Sequence, residues 1–301
     1  MAFAIRKYEE VYDQVSIDDY LESLRDKGIG KYRCKTIVSG EMLEIEIYPL
    51  FKRPQVEKSK PLNISRRAQM NLNDKNRRKR VMRLVNTNFG HKDIWLTFTY
   101  NPENVPEDKE LAYNDIKNYI RRLQRHIKKS SLEDLKYIYT TEWVKNELTG
   151  KLHAHHHVIM NFRDRDKAES LWNKAGRTQA RRLQPDDYGL NGLASYIAKE
   201  ETKEGNRKGS KRYGCSLNLK KPDEYIADTK IKKRDVIKLA ENQNEGQDFF
   251  EDLYSSYFSK SYKFLDMTIK GSNYHAGAYI YVQMKQKPKI ARKGYKNVDS
   301  T

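Results

Sequence analysis

The chain has 301 residues, room for one enlarged domain or two smaller ones, with 59 Lys and Arg against 41 Asp and Glu and a formal net charge of +18. At 37% hydrophobic and 11% aromatic it can bury a core and is not a wholly disordered chain, and its positive excess points to an acidic or nucleic-acid partner. Two cysteines, Cys34 and Cys215, exclude a disulfide framework and a thiolate zinc site; the absence of a long apolar run and of an apolar core in the opening MAFAIRKYEE leads to the expectation of a cytoplasmic protein without a membrane span.

In chain order, the spacing predicts an acidic helix over Ser16–Asp26, ended near Gly28-Ile29-Gly30, and a strand-like run over Thr36–Leu50. Pro54 and Pro61 bracket a polar linker, and Ser65–Arg83 reads as a basic helix with a polar break near Asn71–Asp74. Ile94–Tyr100 (IWLTFTY), rich in aromatic and β-branched residues and stopped by Asn101-Pro102, reads as a buried strand. From Glu110 to Lys129, Ile116, Tyr119, Ile120, Leu123 and Ile127 recur at helical spacing. Lys136–Val144 and Leu152–Met160 read as two strands of an antiparallel hairpin, turning near Thr149-Gly150. A helix over Asp164–Asn173, a strand over Arg177–Leu183 and a helix over Asp187–Lys199 follow. This order predicts an α+β domain, an antiparallel sheet with helices on one face. Beyond a charged segment after Lys199 lie a lysine-rich connection, a helix candidate over Asp248–Phe258 and a tyrosine-rich end, Tyr274–Val282.

Four of the seven histidines lie within five positions: His153, His155, His156 and His157. On a strand, alternate side chains share a face, so His153, His155 and His157 point one way and His156 the other. Imidazoles about 7 Å apart on one strand face can reach a single divalent cation. The hairpin returns Glu142, the carboxylate in the otherwise apolar and aromatic run TTEWV, toward them. Two His and a carboxylate leave open positions for water or phosphate oxygens, and a mixed N/O set suits Mg²⁺ or Mn²⁺ as well as Zn²⁺. Further on, Tyr196 and Lys199 are three residues apart and share a helix face, with Leu190, Leu193 and Ile197 on the apolar side. A tyrosine on a helix, one of 21 in the chain, is by itself usually a packing residue.

The ordered set LTFTY, then His155-His156-His157-Val158-Ile159-Met160, then Tyr196-x-x-Lys199 resembles the HUH endonucleases that initiate rolling-circle replication. It is most similar to the single-tyrosine replication-associated proteins of small phages and plasmids, the group that includes filamentous-phage gene II proteins. The tyrosine following the histidines favours replication initiators over conjugative relaxases. The resemblance implies an HUH endonuclease domain, RRM/ferredoxin-like, over 65–222, with an N-terminal extension (1–64) and a C-terminal accessory region (223–301).

It also implies the roles. A divalent metal, Mg²⁺ or Mn²⁺, on His155, His157 and Glu142 would polarise the scissile phosphate. Tyr196 would attack to leave a 5′-phosphotyrosyl link and a 3′-OH primer, and Lys199 would stabilise the phenolate or the phosphate. Two registers are open for the histidine pair, His153/His155 and His155/His157; the apolar tail Val158-Ile159-Met160 favours the second. Arg66, Arg67, Arg77, Arg78 and Arg80 before the site, with Lys208, Lys211 and Arg212 after it, are candidate phosphate contacts. Among the tryptophans, Trp95 is a candidate for stacking on unpaired bases, while Trp143 and Trp172 suit the core. The expected partners are single-stranded or supercoiled origin DNA with a host helicase and polymerase, in the cytoplasm of a bacterial host. The alternatives are a non-catalytic DNA-binding repressor on the same fold and a transposase using the same tyrosine chemistry.

Overall fold

A computed structural model describes residues 23–52, 66–145, 152–198, 213–257, 260–271 and 276–288. It is an α+β structure with two antiparallel five-stranded sheets. Sheet II, which carries the histidines, is built from β3 (Ile94–Tyr100), β4 (Tyr137–Lys145), β5 (Leu152–Met160), β6 (Ala175–Arg182) and β7 (Gly214–Cys215), in the order β6-β3-β5-β4-β7. β3 and β5 have the predicted bounds, and β4 and β6 are shifted by one or two residues.

One face of sheet II packs Ile94, Leu96, Phe98, Val158 and Met160 against Ile116, Tyr119 and Leu123 of α2 (Lys109–Lys129) and Ala168 of α3 (Arg165–Ser170). Asp108 and Asp164 begin these helices, each carboxylate accepting from a backbone N–H of the first turn, at Leu111 and Lys167. Trp172 and Trp143 are buried in the packing of this face, as expected of them.

The other face is covered as well, where the sequence placed helices on one side only. Ile138 and Ile159 meet Val81 and Val85 of α1 (Arg66–Asn88), with Ala194 and Ile197 of α4 (Asn191–Ile197). α1 runs through the expected polar break and five residues beyond Arg83, because Val81, Val85 and Phe89 recur every four residues and each finds the core. α4 is shorter than its pattern suggested. The chain first turns at Asp186–Gly189, with Gly189 at φ +67°, and Asn86 accepts from the N–H of Leu190 just before the helix.

Sheet I joins β1 (Ile29–Ser39) and β2 (Met42–Phe51) to β8 (Asp223–Ala227), β9 (Tyr262–Lys270) and β10 (Tyr279–Gln286), in the order β8-β1-β2-β10-β9. The run read as one strand over Thr36–Leu50 is a tight hairpin: Ser39 pairs with Met42 across Gly40-Glu41, and Gly40 takes φ +63°, a conformation glycine adopts without penalty. Ile45, Ile47, Ile280 and Val282 pack its inner face against α5 (Lys233–Glu241) and α6 (Gly246–Leu253). Only the last residues of the expected Ser16–Asp26 helix fall within the described chain, with Ser23 and Leu24 helical; the Pro54–Pro61 linker lies outside it.

α1 lies between the sheets. Toward sheet I, Arg83 Nη2 contacts Glu44 Oε2 and Glu46 Oε1 at 2.8 Å each, Lys79 Nζ reaches Glu46 Oε1 at 3.0 Å, and the Tyr281 hydroxyl donates to Glu44 at 2.7 Å. These two cations therefore join the sheets and are spent on carboxylates. Arg83 and Glu44 are both mostly buried, so removing one partner strands a buried charge. Arg83→Ala is expected to lower stability by about 3–5 kcal/mol, read from denaturant unfolding. Among the described residues no helix is long and apolar enough to cross a membrane.

Candidate active site

Antiparallel pairing decides which side chains meet, because residues directly opposite share a face. Glu142 on β4 is opposite His155 on β5, Thr140 is opposite His157, and Val144 is opposite His153. Across the other side of β5, Thr97 of β3 is opposite His157. Glu142, His153, His155, His157, Trp95 and Thr97 thus line one face, the face crossed by α4.

α4 is fixed by the buried Ala194 and Ile197 and delivers Tyr196, 39% exposed, onto this surface. The Tyr196 hydroxyl donates to Glu142 Oε2 at 2.6 Å and lies 3.3 Å from His157 Nε2; those two acceptor atoms are 3.4 Å apart. Thr97 Oγ1 sits 3.2 Å from His157 Nδ1, and Trp95 stacks on the imidazole with ring centroids 5.2 Å apart and planes within 12°. The Tyr196 ring stands edge-on to both His157 and Trp95. Thr97 and Trp95 therefore hold the His157 ring from behind and beside. With Nδ1–H given to Thr97, Nε2 turns its lone pair to Glu142 and Tyr196.

Burial pushes the Tyr196 phenol up to about 12, helped by its hydrogen bond to Glu142 and by the carboxylate's charge, so it is a phenol at neutral pH. Burial lowers both His155 and His157 against the opposing pull of Glu142, and neighbouring imidazoles add to the lowering. Both rings are therefore neutral, the form that ligates metals.

Among the described residues, no three His, Cys, Asp or Glu are gathered tightly enough to define a closed metal centre. The donor chemistry nevertheless suits a divalent cation. The 3.4 Å between His157 Nε2 and Glu142 Oε2 matches neighbouring ligands on one ion, about 3.0–3.4 Å for bonds near 2.1 Å. His155 adds a second neutral imidazole directly across from Glu142. His153 lies beyond His155, opposite Val144 and about 13 Å along the strand from His157.

Of the remaining candidates, Lys199, Lys208, Lys211 and Arg212 lie outside the described residues. Arg66 and Arg67 fall in the first turn of α1. Arg78 and Arg80 are exposed on that helix. Arg77 instead donates through Nη2 to the carbonyl of Ala198 at 3.1 Å, securing the end of the helix that carries Tyr196. The sequence signal missed for this residue was its place one turn before Val81, on a helix that packs against α4. Thr97 and Trp95 had a readable signal in the alternation of IWLTFTY, but it carried weight only with the register known.

His156 faces the opposite side and is fully buried, with Thr141 Oγ1 at 2.9 Å from Nδ1 and the Tyr100 hydroxyl at 2.7 Å from Nε2. Burial, with the two adjacent histidines, drives its pKa from 6.5 down to about 3. The folded value lies below the unfolded one, so this contribution to stability is intact above pH 6.5 and is lost as pH falls toward 3. Between pH 6.5 and 4.5 the unfolding free energy of the wild type is expected to fall about 1.4 kcal/mol per pH unit more steeply than that of His156→Leu, in denaturant titrations at each pH.

Residues 93–205 match the family model for replication-associated proteins of the ORF2 and gene II protein type, and this span of the chain belongs to that family. No curated protein and no solved structure matches the chain.

Proposed function

We propose that this replication-associated protein nicks and rejoins single-stranded DNA at a replication origin through a tyrosyl-DNA intermediate. The observation that carries the reading is the Tyr196 hydroxyl lying within hydrogen-bonding reach of both Glu142 and His157. Tyr196 attacks the scissile phosphorus, forming the Oη–P bond as the P–O3′ bond breaks. The phenolic proton passes to Glu142, to which it is already directed, and the departing 3′ oxygen takes a proton from water. A free 3′-OH is left to prime synthesis, and the 5′ phosphate stays on the tyrosine. Because one phosphodiester replaces another, the reverse attack by a 3′-OH reseals the strand without an energy source.

His155, His157 and Glu142 would hold a divalent cation, Mg²⁺ or Mn²⁺, which when bound supplies Lewis-acid polarisation of the phosphate. Thr97 and Trp95 keep the His157 ring oriented. Arg181 of β6, exposed and paired with Trp95, extends the same face toward the sheet edge and supplies positive charge for the incoming strand.

The test is a covalent-adduct assay. The protein is incubated with a random single-stranded DNA pool and Mn²⁺, with or without chelator, then denatured in SDS, and any DNA-linked peptide is mapped. A chelator-sensitive adduct on Tyr196 is expected, and the attached DNA then reports the nick site. Tight, salt-sensitive binding with no adduct would overturn nicking in favour of a DNA-binding repressor.

A further inference from the structure

The far end of β4 carries a second concave surface. Tyr137, its first residue, is five positions from Glu142, about 17 Å along the strand. There the turn after α2 and the segment after β7 enclose a groove of about 660 Å³ with Ile127, Leu132, Leu135, Tyr137 and Leu217 among its lining.

Leu217 is fully exposed and Leu132 about half exposed. Leu217 is not exposed through slack in its segment, since both neighbours are clamped to the rim. Ser216 N–H donates to the Tyr137 carbonyl at 3.0 Å, Ser216 Oγ accepts from Tyr137 N–H at 3.1 Å, and Asn218 Nδ2 donates to the Leu135 carbonyl at 3.3 Å. Leu132 is presented by Ser131, whose φ of +51° is a left-handed conformation that a serine adopts only at a cost. Two leucines held outward beside an apolar floor are a surface awaiting an apolar side chain.

The groove runs into an adjoining depression of about 350 Å³ lined by Arg121, Gln124, Arg125 and Lys128, with Gln124 and Lys128 common to both. Its charged lining is thus three cations against Asp134 on the other wall. A nucleic-acid backbone would be drawn to the cations but gain nothing from the leucines. A peptide with both apolar and acidic side chains satisfies the whole surface.

We propose that this groove docks a short acidic peptide segment of another protein, its apolar side chains against Leu132 and Leu217 and its carboxylates on Arg121, Arg125 and Lys128. It is separate from the tyrosine site, so a partner held here need not displace DNA.

The test uses the full chain and a fluorescein-labelled twelve-residue probe containing four Asp, two Leu and one Phe, with a control in which Lys replaces Asp, read by fluorescence anisotropy. The acidic probe is expected to bind at least tenfold more tightly than the control, and to lose at least tenfold in affinity with either Leu217→Ser or Arg125→Glu. Neither side chain packs in the core, so an unchanged melting temperature is expected of both variants. Equal binding of the two probes, or unchanged binding by Leu217→Ser, would overturn the proposal. So would a single-stranded oligonucleotide that displaces the probe and is weakened by Arg125→Glu alone, placing nucleic acid here. A dimer in sedimentation that Leu217→Ser converts to monomer would place a second copy in the groove and overturn it equally.

Discussion

Replacing Tyr196 with phenylalanine is expected to abolish the covalent adduct and to lower nicking of the oligonucleotide recovered from it by at least about 10⁴-fold. The change removes one oxygen and leaves the ring edge-on to His157 and Trp95, so the packing of α4 is kept. Glu142 loses a donor, but it is partly exposed and water can replace it, so stability should move by less than about 1 kcal/mol. Affinity for the oligonucleotide should stay within about threefold, since the basic surface is untouched. Nicking that survives the substitution would place the nucleophile on another residue.

The second large effect separates the two histidine registers. His157→Ala removes the imidazole that contacts Glu142 and Tyr196 and is held by Thr97; it is expected to cost about 10³-fold in nicking and at least about tenfold in Mn²⁺ affinity by calorimetry. His153→Ala, opposite Val144 at the remote end of the strand face, should change either by less than about threefold. The reverse pattern would move the site to the His153/His155 pair and leave the contacts of His157 without a catalytic role.

What the sequence made legible was local. The alternation in LHAHHHVIM and the short return through KYIYTTEWV placed three histidines and Glu142 on one face, because hairpin partners are close in the chain and the strand period is two. IWLTFTY was legible for the same reason. Lys79 and Arg83 were not: as letters they belong to the basic run around them, and only the sheet on the far side of α1 turns them into partners of Glu44 and Glu46. Sheet I was illegible as a unit, since Ile47 finds its neighbour at Ile280 and nothing near either residue announces the other. The hairpin within Thr36–Leu50 was hidden by a Ser-Gly-Glu turn inside an almost continuous apolar run.

The pairing of β2 with β10 also sets an order of events during synthesis. At about 5–20 residues per second, roughly 10–50 s separate the emergence of Ile47 from that of Ile280. Throughout that interval the β1–β2 hairpin carries Leu43, Ile45 and Ile47 without the strand and helices that later cover them. The histidine sheet, whose strands end at Cys215, can assemble well before then. A chain terminated between the two stages would therefore be released with a finished histidine sheet and an uncovered apolar ribbon, marking incomplete molecules for proteolysis or aggregation.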